Sequence, residues 1–468
     1  MDGVMPAGNA LEELSALRGR GFSGPVTVTG TEPWAPTRFR VAQVVAAVQA
    51  ATAGIVADVM AGRDGVTRAA SCDALGAIAA LAAVHFAQEG DGTGGWATPA
   101  PDPDTTASRA VTRPWPTRDG RHVLPHFSLP GLQARMLAML GCDLTPASVG
   151  AAVAARDAAE LEEAIAAARV CGAMVRSAAE WRAHPHGALL ASRPVISIAR
   201  IGDAPVEPVP GGARPLSGLR VLDLTRILAG PVAARTLAEY GADALMIAGR
   251  DVPQIPAFVR ETSHGKRSAF LDLDRAEEVA ALRELVRGAD VFSQGYRPGV
   301  LEARGFGPEA LAEMRPGIVA LSVSCYGHGG PLSDRAGWEQ VAQAVTGICA
   351  EQGAPGVPEL IPLPACDYLT GYLGALGVLM ALERRAQEGG SWHVQVSLCR
   401  SAMFLQDHGR HASPKAFPTA QDVAGYMVEN DGQRGPMRFV GPIARLKGLE
   451  LRYDRQSPVL GGDAAQWL

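Results

Sequence analysis

Between residues 219 and 324, short apolar runs alternate with helix-like segments, and this alternation limits the fold more than any other feature. Leu-Arg-Val-Leu-Asp-Leu-Thr at 219–225 reads as a strand, 230–240 as a helix and 242–247 as a second strand. Further strands are expected at 269–273, 289–293 and 318–324, with an amphipathic helix at 275–287. The runs are apolar on both faces, which suits strands covered by helices on each side. The expectation is an α/β fold with a Rossmann-like open parallel sheet flanked by helices, plus a smaller α+β domain. Pro231 falls one residue inside its helix, where a missing N–H does no harm. A dinucleotide site does not follow. The one Gly-x-Gly-x-x-Gly, Gly19 to Gly24, trails a helical segment, and the first strand–helix turn, 226–231, has a single glycine.

Charge removes several classes of function. The 468 residues carry 43 basic and 48 acidic side chains, a net charge of −5, with the basic ones scattered. No nucleic-acid surface and no polybasic membrane anchor are expected. The N-terminus lacks the basic and apolar regions of a signal peptide, and no apolar run reaches the ~18–20 uninterrupted residues of a membrane span. The seven cysteines never form Cys-x-x-Cys and read as reduced thiols of a cytoplasmic protein. Neither His122 and His126 nor His184 and His186 are joined by further ligands, so no metal is expected.

One acid stands out. Pro364-Ala-Cys-Asp-Tyr-Leu-Thr-Gly371 places Asp367 just ahead of an apolar helix expected over 372–382. A helix N-terminus favours negative charge, so Asp367 reads as a helix cap. The neighbouring Cys366 has no base nearby and reads as a small buried hydrophobe.

A set of motifs then resembles family III CoA-transferases, the formyl-CoA and carnitine-CoA transferase group that shares its superfamily with α-methylacyl-CoA racemases. They are residues 219–231, Gly241-Ala-Asp243, 265–273, Tyr296-Arg-Pro-Gly299, Arg304-Gly305, Pro316 to Val319, Ser324 to Pro331, Gly337 to Gln343, Asp367, Arg385 and Gly389-Gly390. The resemblance implies transfer of coenzyme A from an acyl-CoA thioester to an acceptor carboxylic acid. Asp367 would be the nucleophile, passing through a mixed anhydride and an aspartyl–CoA thioester, with Glu339 beside it. An ordinary carboxylate, with a pKa near ~3.9, is ionised at neutral pH and needs no base. Gly329 and Gly330 would offer backbone donors to the oxyanion. Arg226, Arg250, Leu271, Arg297 and Arg304 would contact CoA, although Gly249, Asp274 and Ala303 occupy positions where the formyl-CoA transferases are basic. No tightly bound cofactor is implied; acyl-CoA is substrate, and a homodimer, interlocked as in the family, is the expected assembly. Two alternatives stay open. A racemase needs two opposed bases, and Trp338 stands where racemases have histidine, leaving His328 as a substitute. A catalytically degenerate CoA-binding or assembly subunit is the other.

The upstream half resembles a partial second copy. An apolar helix ending at Arg63, then a short strand and a small-residue helix through 82, parallels 376–402. Matching Arg63 to Arg385 sets Val45 opposite Asp367, so this copy lacks the acid. Residues 113–201 resemble the family's small domain, which usually follows the catalytic region. The division expected is an extension at 1–35 with a helix over 10–20, a partial copy at 36–112, a small domain at 113–202 and a Pro-rich linker at 203–216. A catalytic α/β region at 217–410 and a C-terminal segment at 411–468 complete it, in a fused or permuted order. Residues 410–440 are polar and carry no assignment.

Overall fold

The computed structural model, which describes residues 8–31, 34–101, 103–411 and 416–468, gathers the alternating segments into one seven-stranded sheet. Its strands are β1 (Ser197–Gly202), β2 (Arg220–Leu224), β3 (Asp243–Ala248), β4 (Lys266–Phe270), β5 (Val291–Gln294), β6 (Val319–Ser324) and β7 (Ser391–Ser397). They lie in the order β4-β3-β2-β5-β6-β7-β1. All neighbours are parallel except β7 and the edge strand β1. Val221, Leu222, Val291, Phe292, Val319 and Leu321 are all buried, as a sheet covered on both faces requires.

Four of the expected strands fall close to their predicted spans, but the one placed at 269–273 begins earlier, at Lys266. Its first residues are polar, so apolar patterning passes over them. They are buried because they pair: Lys266 Nζ donates to Asp223 of β2 and to the Pro231 carbonyl, each at 2.8 Å. β1 comes from the segment assigned to the small domain and joins the main sheet.

The helices that shape the site are α1 (Val41–Asp64), α2 (Ala74–Leu81), α3 (Pro130–Leu140), α4 (Ala158–Ala167), α5 (Ala229–Glu239), α6 (Glu339–Thr346), α7 (Ala365–Glu388) and α8 (Leu398–Asp407). α7 is the central helix. Leu369, Leu373, Leu376 and Met380 recur at helical spacing and are at most 2% exposed. Each contributes about 1.5–3 kcal/mol of burial. α5 lies directly on α7 because Gly371 has no side chain: a Cβ there would sit 2.4 Å from the Ala229 carbonyl oxygen. By length and composition α1 and α7 are apolar enough to cross a membrane, contrary to the sequence expectation. Both are core helices, with 78% and 100% of the most apolar window buried.

α1 packs on α7, and the two stretches match element for element. Each is a 24-residue helix followed by a strand (Ala70–Asp73 or β7) and a second helix (α2 or α8). The residue ending each strand caps the next helix: Asp73 accepts from Leu75 N, and Ser397 from Arg400 N. Aligned on helix starts, Gln43 stands opposite Asp367, a shift of two residues from the arginine-based alignment; neither Gln43 nor Val45 is an acid.

The remaining segments fill in around this core. Gly8–Arg18 is a helix, and a strand that patterning missed, Val26–Thr29, pairs with Ala70–Asp73. The polar stretch left without assignment contains strands Met427–Asn430 and Met437–Val440, part of a second sheet with Gln88–Gly90 and Trp96–Ala97. Trp115–Pro116, His122–Pro125 and Gly172–Met174 form a small antiparallel sheet. With α3 and α4 it encloses its own core of Val123, Phe127, Met136 and Leu161.

Candidate active site

In an open parallel sheet, a ligand crevice forms beyond the strand C-termini where the strand order reverses. Here the reversal lies between β2 and β5. A cavity of about 430 Å³ opens there, lined by Thr225 to Gly230 after β2, Gly295 and Arg297 after β5, and Val323 to Cys325 at the end of β6. Asp367 and Trp338 line it from the side, and α3 closes it with Leu132 and Arg135, together with Leu129 just ahead of the helix. One wall strains the backbone: Ile227, a β-branched residue, has φ +76°.

Asp367 stands inside the first turn of α7, not ahead of it, and does not cap the helix. Glu339, the first residue of α6, does so from outside. Its Oε1 accepts from Cys366 N at 3.1 Å and from Gln343 Nε2 at 2.7 Å; its Oε2 accepts from Asp367 N at 2.6 Å. Pro364 at the N-cap has no side chain able to do this. The helix dipole and two N–H groups therefore serve Glu339. Asp367 is only 7% exposed, and its carboxyl receives no hydrogen bond from any described residue. Burial, and then the Glu339 charge, push it well above the usual carboxylate range. This corrects the expectation of an aspartate in the ordinary carboxylate range. Burial also raises Glu339, but its three donors oppose the rise, whereas nothing opposes it at Asp367.

The expected CoA contacts divide. Arg226 and Arg297 line the cavity. Arg250 lies over the Phe270 ring at 5.0 Å, and Arg304 is held by Asp274 at 2.7 Å and the Leu273 carbonyl at 2.5 Å. Leu271 is a core residue, 6% exposed. Gly329 and Gly330 are not in the lining either. His186 ties their turn down from the other side, accepting from Leu332 N at 3.1 Å and contacting the Tyr326 carbonyl at 2.6 Å. In their place α5 opens onto the cavity, and the N–H groups of Ala229 and Gly230 have no acceptor within the helix.

No histidine lines the cavity. His328 lines a separate crevice and meets the His393 ring edge-on, and the buried His126, pushed down to about 4 by burial, packs behind Trp338 with ring centroids 4.5 Å apart. Cys366 is fully buried, and burial and Glu339 push its thiol well up, away from thiolate character. Among the described residues no acid, histidine and cysteine cluster suits a metal. Sequence reasoning missed Arg135, Leu132, Ile227 and Cys325. Arg135 and Leu132 lie over 200 residues upstream of Asp367, and no local pattern links them to it.

Residues 216–421 match the model of CoA-transferase family III. An acetyl-coenzyme A transferase from Hypoxylon pulicicidum is 31% identical over 424 residues, covering 76% of this chain and 71% of its own length. The beta subunit of succinyl-CoA–L-malate CoA-transferase from Chloroflexus aurantiacus is 34% identical, covering 41% of this chain and 51% of its own. Human succinyl-CoA:glutarate CoA-transferase is also 34% identical, at 42% and 48%. The chain thus spans about half the length of the latter two. A crystal structure of a CAIB/BAIF family protein from Brucella suis overlaps 49% of this chain and 66% of its own, at 29% identity and a TM-score of 0.38. The chain belongs to CoA-transferase family III, EC 2.8.3 enzymes that take CoA thioesters as substrates.

Proposed function

We propose that Asp367 is the covalent nucleophile of CoA transfer between two carboxylic acids. Asp367 reacts in its ionised form, its proton having gone to solvent: a carboxylate oxygen attacks the thioester carbonyl, the C–S bond breaks and CoA leaves as a thiolate. The thiolate then attacks the Asp367 side of the resulting anhydride, releasing the first acid and leaving an aspartyl–CoA thioester. An acceptor carboxylate attacks that thioester, and the returning thiolate carries CoA to the new acid and restores Asp367. The observation that carries this reading is the setting of Asp367, an acid without hydrogen-bond donors that lines a cavity at the strand-order reversal. Ala229 and Gly230 N–H groups are the oxyanion donors, and Arg135, Arg226 and Arg297, none ion-paired among the described residues, receive the anionic substrates.

Glu339 is a positioning residue. It fixes the helix start that aims Asp367, and its charge adds to burial in raising the Asp367 carboxyl. The seven cysteines, all free, support a cytoplasmic location. The doubled helix–strand–helix unit supports the fused architecture, and a homodimer belongs to the same proposal; a monomer by light scattering would remove the dimer.

The test is trapping. The protein is incubated with a panel of acyl-CoA esters and quenched with hydroxylamine. Transfer gives a mass change on Asp367 that Asp367→Asn cannot form. α-Deuterium uptake without an adduct would replace this reading with racemisation, and neither signal would leave a binding subunit.

A further inference from the structure

A narrow crevice of about 20 Å³, lined by the Gly327–His328 turn, gathers cationic and polar side chains and shares no lining residue with the catalytic cavity. Arg193 enters it from just beyond the helix Pro185–Ala191, Arg400 from the first turn of α8 and His328 from the turn itself. Ser197 of β1 and Gln395 of β7, paired across the sheet, and Ser397, the cap of α8, complete its polar lining. Among the described residues no acid lines it.

These side chains are held in place but not satisfied. Arg193 Nη1 donates to the His328 carbonyl at 2.6 Å, and Arg400 Nε donates to the Arg193 carbonyl at 2.9 Å. Asp407 and Glu13 act on Arg400 only from a distance: Asp407 is engaged by Arg182 at 2.6 Å, and Glu13 lies 3.3 Å from His408. Burial outweighs their attraction and lowers the Arg400 guanidinium from its usual value. Arg400 Nη1 and His328 Nε2 are buried and have no hydrogen-bond partner among the described residues. A buried polar atom needs a partner, and two guanidiniums beside the positive end of α8 select an anionic one.

We infer that this crevice is an anion site, distinct from the catalytic cavity, which holds one small monovalent anion between Arg400 and Arg193, with His328 beside it. About 20 Å³ admits a single group little larger than water, a halide or the head of a short carboxylate, and excludes a phosphate chain. The anion joins three segments far apart in the chain: Arg193 ahead of β1, the turn after β6 and the start of α8. The inference stands without the CoA-transfer reading.

Thermal unfolding of the full chain in the sodium salts of chloride, acetate, phosphate and gluconate, at one ionic strength, tests this. Chloride or acetate should raise the melting temperature to a plateau, as a ligand of the folded chain does, whereas gluconate, too large for the crevice, should not. Arg400→Gln should raise the half-saturating concentration about tenfold, and Arg135→Gln, in the catalytic cavity, should leave it unchanged. If Arg400→Gln does not fold, Arg193→Gln decides by the same criteria. A plateau with chloride alone identifies a halide site, with acetate alone a carboxylate site, and with both a site that reads only size and charge. No plateau with either, an equal rise in gluconate or a plateau with phosphate alone overturns the inference. So does a response that Arg400→Gln keeps or that Arg135→Gln abolishes.

Discussion

Removing Glu339 should unfasten α7 and retune Asp367 together, and the two effects can be measured apart. In Glu339→Ala the N–H groups of Cys366 and Asp367 lose their acceptor inside a site only 3% exposed at Glu339. An orphaned buried donor costs about 1–3 kcal/mol, so the pair comes to about 2–6 kcal/mol, less the relief of no longer burying a carboxylate. Against a total of about 5–15 kcal/mol this is severe. Glu339→Gln keeps one oxygen acceptor and should lose about half, roughly 1–3 kcal/mol, read as a lower urea midpoint at constant slope. The same substitution removes the negative neighbour of Asp367. Burial remains, so the aspartate stays above its ordinary range but comes down. Its reactive, ionised form then appears at lower pH, and the acid limb of kcat/KM moves to lower pH. An unmoved limb, or a Glu339→Ala protein as stable as the wild type, would refute the capping and charge argument.

Four further outcomes follow from the same structure. Asp367 is raised in the folded state, so its contribution to stability is complete below the unfolded carboxylate range and is lost as pH rises through the folded value. Asp367→Asn should therefore abolish adduct formation yet unfold at higher urea than the wild type at neutral pH, the two curves converging in acid. Lys266→Met leaves Asp223 buried and unpaired and should cost about 3–5 kcal/mol in urea unfolding, much of it recovered when Asp223→Asn is added. Ile227→Gly relieves about 1–3 kcal/mol of backbone strain, so it should melt no lower than the wild type while losing turnover as the cavity wall opens. Leu132→Ala enlarges the cavity from the α3 side and should shift preference across a ladder of acyl-CoA lengths towards longer chains, by about tenfold or more per methylene accommodated.

What the sequence revealed follows from how each element is stabilised. β2, β3, β5 and β6 were legible because they are buried on both faces and must be apolar. β4 was misplaced because Lys266 is buried by its ion pair with Asp223, which apolar patterning does not register. Asp367 and Glu339 were found through motif order, but their relation was not. That Glu339 takes the N–H groups of α7 depends on how α6 meets α7 in space, and with it went the expectation of an ordinary carboxylate at Asp367. The glycine turn failed in a similar way: Gly329 and Gly330 look like oxyanion donors until His186, some 140 residues upstream, ties their turn elsewhere. Arg135 and Leu132 were invisible because only the docking of the small α+β unit brings α3 over the sheet.

The position of Asp367 shows why this site departs from local rules. An acid in the first turn of a helix would normally take the free N–H groups and be stabilised by them. Here Glu339 occupies those donors, and Asp367 is left buried beside a like charge. On stability alone the arrangement is poor, and asparagine or glutamine at 367 would be preferred. The nucleophile proposed for position 367 has the opposite need: a carboxylate held by several hydrogen bonds spreads its charge into them and attacks weakly, while one without donors keeps its electron density for the thioester carbon. The paired unit at α1 supports this contrast, since the helix start without an acid, at Gln43 or Val45, carries no such conflict. The strain concentrated at Ile227, on the same cavity wall, belongs to the same pattern of local rules set aside where a chain does chemistry.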